Sequence, residues 1–140
     1  MYALGVTRDD AAMAEHSVPA DGAANGDVPE SERARLAAAW AAAHYFVTLG
    51  RKEWLFCTGL TAPEIERQVM ADRYLFITAW NPPPGETPRA DNDAAQARLE
   101  ARVRALGLSL HPALGCDNRG GMVEYGCLVL DATLAQADAL

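Results

Sequence analysis

The chain has 140 residues, half of them apolar, with a formal net charge of -7. That length and composition fit one soluble domain with an ordinary core. Phosphate backbones and anionic membrane surfaces need clustered Lys and Arg. Here Lys52 is the only lysine and the arginines are scattered, so general nucleic-acid binding and membrane association are not expected. No apolar run approaches the roughly 18 residues of a bilayer span, and no basic-then-apolar leader opens the chain. Cys57, Cys116 and Cys127 are odd in number and lack C-x-x-C spacing. Reduced thiols and a cytoplasmic setting fit better than a disulfide framework.

Residues 1–29 read as a disordered tail. Glu15 to Pro29 mixes Ala, Gly, Asp, Asn, Ser and Pro without periodicity, too little apolar area to offset ordering entropy. The alternation of Tyr2, Leu4 and Val6 leaves room only for a short edge strand. Asp27-Val28-Pro29-Glu30 has capping-box spacing, and Leu36, Trp40 and Ala43 follow at helical intervals, so a helix is predicted over about 29–43.

Tyr45 to Leu49 and Trp54 to Cys57 are β-branched and aromatic, with Gly50-Arg51-Lys52 between them; this predicts a hairpin. Thr61-Ala62-Pro63-Glu64 repeats the capping-box spacing before Ile65, Val69 and Met70, predicting a short helix. Tyr74 to Trp80 is the most apolar segment and suits a central strand buried on both faces. A proline-rich loop runs from Asn81 to Asp91 with Pro82, Pro83, Pro84 and Pro88. Asp91 or Asn92 should cap the next helix, whose stripe is Ala95, Leu99, Val103 and Leu106 and whose end is Gly107.

Leu108 to Leu114 and Met122 to Leu130 predict a second hairpin about Asp117-Asn118-Arg119-Gly120-Gly121. Pro112 marks its first strand as irregular or peripheral. Thr133-Leu134-Ala135-Gln136 opens a last, brief helix. Its shortness is read as a natural protein extending past Leu140. The order is α-β-β-α-β-α-β-β-α, an α+β single domain over residues 30–140. The expected core is a mixed sheet of about five strands, with strand–helix–strand links joining parallel strands.

The candidate site is Thr78-Ala79-Trp80-Asn81-Pro82, where a buried strand leaves the sheet toward a helix start. Ligands favour such strand ends. Asn81 and Asn92 supply amides, Thr78 a hydroxyl, and Trp80 a flat wall with one donor. Glu124 lies on a strand beside Met122, Val123 and Tyr125; if buried, its raised pKa would suit a catalytic acid or base. His16, His44 and His111 show no zinc spacing. Phosphate-binding loops, dinucleotide fingerprints and nucleophile elbows are absent. No cofactor or metal is expected.

Ile77-Thr78-Ala79-Trp80-Asn81-Pro82, then Asn92, Leu99, Leu106 and Glu124 with Leu128-Val129, resemble an uncharacterised bacterial family, domain of unknown function 3293. The resemblance runs over about residues 36–140 and implies Thr78, Asn81, Pro82, Asn92 and Glu124 as signature positions. It names no activity. Tyr125 and Gly126 depart from its pattern, which has an acidic and a small polar residue there, and the family continues through a longer final helix.

Two functions follow from these readings. One is a pocket for a small polar or anionic, nucleotide-like ligand at the strand end, whether or not chemistry occurs there. The other is a non-catalytic interaction module, using the Pro-rich loop or a sheet edge to meet a protein partner or a second copy.

Overall fold

The computed structural model describes residues 2–7, 30–80 and 87–140. Six strands and four helices follow one another among these residues: β1 Tyr2–Thr7, α1 Glu30–Ala41, β2 His44–Leu49, β3 Lys52–Phe56, α2 Pro63–Val69, β4 Arg73–Thr78, α3 Arg89–Ala105, β5 Leu110–Cys116, β6 Val123–Leu130 and α4 Leu134–Asp138. The α+β class, the single sheet and both hairpins are as expected. The pairing is not. All six strands form one sheet in the order β1-β4-β6-β5-β2-β3, and every neighbouring pair is antiparallel.

The expectation of a mixed sheet fails for a definite reason. The α3 crossover does join strands of like direction, because β4 and β5 are each antiparallel to β6. The returning strand β6 then inserts between them and satisfies both inner edges. β4 is buried on both faces, as predicted, but stands second in the order, and β6 and β5 hold the middle. β1 is the added sixth strand, paired along β4 from Tyr2↔Thr78 to Thr7↔Arg73. Asp27, Val28 and Pro29, with the rest of 8–29, lie outside the described residues.

The period-two alternation of the strands divides the apolar residues between two faces. On one, Tyr45, Val47, Phe56, Tyr74, Phe76, Ala113, Leu128 and Leu130 pack with Ala62, Ile65 and Ala71 from in and around α2. Ring centroids lie 5.3 Å apart for Tyr45–Phe56 and 5.0 Å for Tyr45–Phe76. These rings need bare backbone beneath them. A Cβ on Gly126 would fall 2.6 Å from the Ile77 carbonyl oxygen and 2.8 Å from the Phe76 ring. On the other face Leu75, Ile77, Cys127 and Val129 pack under Leu99 and Val103 of α3, with Leu140 beside them.

Three local predictions are corrected. Thr61 does not cap α2: Ala62 does, without a side-chain cap bond. A residue before proline is held out of the helical region, and Ala62 sits at φ -128°, ψ 67°, so the helix starts at Pro63. Glu66 instead reaches back to the Ala62 N–H at 3.4 Å. Neither Asp91 nor Asn92 caps α3, which begins at Arg89 after Pro88. Pro88 is extended at ψ 141°, and its carbonyl already accepts from the N–H groups of Asp91 and Asn92. Pro112 lies in an interior strand, tolerated because the β2–β5 ladder stops at Ala113. The Thr133–Gln136 capping box forms as read. Gly107, at φ +74°, ends α3 in the left-handed conformation that favours glycine.

Candidate functional site

Thr78, Asn92 and Gln96 are the buried polar side chains among the described residues, and all three stand where β4 leaves the sheet beneath α3. The Thr78 hydroxyl donates to the Tyr125 carbonyl at 2.7 Å and accepts from the Trp80 backbone N–H at 3.0 Å. The Ala79 N–H donates to Gln96 Oε1 at 3.0 Å. Gln96 Nε2 in turn faces Glu100 Oε1 at 3.4 Å and Cys127 Sγ at 3.9 Å. The Asn92 amide donates to the Thr87 carbonyl at 3.4 Å. The strand exit is therefore braced residue by residue, with its backbone donors tied to a hydroxyl and a helix amide.

This bracing sets Trp80 against β6. Its ring meets Tyr125 edge-on at 4.8 Å between centroids, and the Arg89 guanidinium lies 5.5 Å from the Tyr125 ring. Arg89 also pairs with Asp93 at 3.6 Å, both side chains largely exposed, so that contact adds little. The Trp80 indole Nε1–H is buried and has no acceptor among the described residues. The first turn of α3 has no side-chain cap, and its helix dipole places partial positive charge at the same end. The arrangement offers donors and positive charge to an acceptor-rich group.

Asn81, the amide expected beside Trp80, lies outside the described residues, as do Pro82, Pro83 and Pro84. Thr78, Trp80 and Asn92 are gathered at the strand exit. Glu124 is not with them. Tyr125 turns its ring to the α3 face, so its neighbour Glu124 points to the opposite one, where it acts electrostatically on Tyr45. The single pocket expected for Thr78, Asn92 and Glu124 is divided by the sheet itself.

On its own face Glu124 is half-buried and makes no ion pair or hydrogen bond among the described residues. Burial raises its carboxyl above the usual range. Its cross-strand partner is Gly115, over which the Tyr45 ring lies at 3.2 Å from the position a Cβ would take. Burial, with smaller contributions from Glu124 and Cys57 against a lowering by Thr58, pushes the Tyr45 phenol up to about 12. Its hydroxyl donates to the Trp40 carbonyl at 3.1 Å. No group of three or more His, Cys, Asp or Glu among the described residues is placed to hold a metal ion.

Residues 77–140 match the family described as Protein of unknown function (DUF3293). That stretch is similar to the family. The DUF3293 match begins at Ile77, inside β4, and takes in α3, β5, β6 and α4; it is narrower than the 36–140 resemblance. It contains both halves of the divided site. No curated protein and no solved structure matches the chain. Neither Gln96 nor Arg89 is marked by the sequence, and Tyr125 stands out there only as a departure from the family pattern. Gln96 was detectable by position, since 92, 96, 99 and 103 recur on one helical face.

Proposed function

We propose that the DUF3293 portion of this chain binds a small polar or anionic ligand, nucleotide-like in its charge, where β4 passes under the first turns of α3. The observation that carries this reading is the buried Trp80 indole N–H with no acceptor among the described residues. An unmet buried donor costs about 1–3 kcal/mol, which a ligand acceptor would recover. Trp80 supplies that donor and a flat wall, Arg89 the charge, and Asn92 and Asn81 the amides. Thr78 and Gln96 hold the strand exit in place. Glu124 has no part in this binding, since it faces the other side of the sheet.

Melting temperatures with inorganic phosphate, adenosine monophosphate and citrate test it. Wild type should gain stability with at least one of these. Arg89→Ala should lose that gain while leaving the unliganded melting temperature within a few degrees, because Arg89 is exposed. A full ligand shift in Arg89→Ala would place anion binding elsewhere.

A non-catalytic interaction module is the second reading. It is favoured by β3, whose outer edge pairs with no strand among the described residues and which carries the exposed Leu55. Edge strands of this kind recruit other chains.

A further inference from the structure

Arg89 opens α3, and the surroundings of its guanidinium divide that group into a held part and an open part. The Tyr125 ring of β6 lies against it at 5.5 Å. Asp93, one turn along the helix, faces its Nε at 3.6 Å. The terminal amino groups, Nη1 and Nη2, have no acceptor among the described residues. What remains open is the forked end of the group, whose shape matches two oxygens of one phosphate or carboxylate. An ammonium in the same place would offer only a compact charge.

The ring against Arg89 is itself fixed. Its backbone pairs with Leu114 in the β5–β6 ladder, and its carbonyl takes the Thr78 hydroxyl at 2.7 Å. Its edge meets the Trp80 ring at 4.8 Å between centroids. Tyr125 is nevertheless 42% exposed and belongs to neither core cluster, so core packing does not account for an aromatic residue there. One ring touches both the indole with the unmet donor and the cation beside it. Arg89 is otherwise a long exposed side chain with many rotamers. A cation–π contact at such a site favours one arrangement by about two- to fivefold.

We infer that Tyr125 is the positioning residue of the strand-exit site, and that the ligand it selects ends in a two-oxygen oxyanion, a phosphomonoester or a carboxylate, gripped by Arg89 Nη1 and Nη2. The inference rests on the ligand site proposed above. It adds which part of the ligand Arg89 meets and what holds Arg89 ready for it. Tyr125 acts through Arg89 with its ring, so its phenol hydroxyl has no part in the effect.

Calorimetric titration of the full chain at constant ionic strength decides the matter, with inorganic phosphate, adenosine monophosphate and citrate as probes. Wild type should bind at least one, and the tighter of phosphate and citrate names the oxyanion. Arg89→Lys keeps the charge and loses the fork, and should weaken binding about tenfold. Tyr125→Leu should weaken it about two- to fivefold, while Tyr125→Phe, which keeps the ring, should bind as wild type does. A purely structural role for Tyr125 would not produce this rescue together with the Arg89→Lys loss. Undiminished binding by Arg89→Lys, or equal affinities of Tyr125→Leu and Tyr125→Phe, overturns this inference and leaves the strand-exit site standing. A wild type that binds none of the probes overturns the site and this inference with it.

Discussion

At the scale of single residues, Gln96 and Glu124 make opposite demands on the fold. Gln96 is buried and satisfied: its amide oxygen takes the Ala79 N–H and its nitrogen meets Glu100 and Cys127. Replacing it strands a part-buried backbone donor, so Gln96→Ala should cost about 1–3 kcal/mol in urea unfolding, and a loss under about 0.5 kcal/mol would show that the brace is dispensable. Glu124 is half-buried without a partner among the described residues. Burial lifts its folded pKa above that of the unfolded chain, so the native state keeps the proton to higher pH. Its contribution is fully favourable below the unfolded value and is lost as pH rises through the folded one. Glu124→Gln should therefore be more stable than wild type at pH 7, and the advantage should vanish below the ordinary glutamate range, about pH 4. An advantage constant from pH 4 to pH 8 would contradict this account of the carboxyl.

Elements obey the same local chemistry wherever neighbours in the chain decide the outcome. The Gly50 turn, the Thr133 box and the Gly107 stop were readable because each depends on a few adjacent residues. Where two local rules compete, the stricter wins: Pro63 forbids helical backbone at Ala62, and the Thr61 box is lost. The buried face of α3 was only half readable. Leu99 and Val103 follow the apolar stripe, but Asn92 and Gln96 continue it with polar groups. Their partners are a loop carbonyl and a strand N–H that become visible only once β4 is docked. Strand order is harder still, since β1 and β6 pair with β4 across long stretches of chain. Gly126 belongs to this scale because it lets β6 pass beneath the Phe76 ring. Gly126→Ala should destabilise the sheet by about 1–3 kcal/mol, measured against Gly120→Ala, which meets no atom within 4 Å but is strained by its φ of +71°. If Gly126→Ala is neutral, β6 has room that the packing denies it.

For the whole molecule, the sheet separates two chemistries that a sequence reading had merged. Donors and an arginine gather on the α3 face, and the half-buried Glu124 carboxyl with a high-pKa tyrosine sits on the other. Linear order could not reveal this, because Glu124 and Tyr125 are adjacent in sequence and opposed in space.

The binding claim rests on one proton, the Trp80 indole N–H, and nuclear magnetic resonance of the three indole N–H groups observes it directly. On titration with phosphate, adenosine monophosphate or citrate, the Trp80 signal should move further than those of Trp40 and Trp54, and should saturate. If the Trp80 signal stays still, or shifts only in step with the other two, the strand exit is a structural brace and no ligand site.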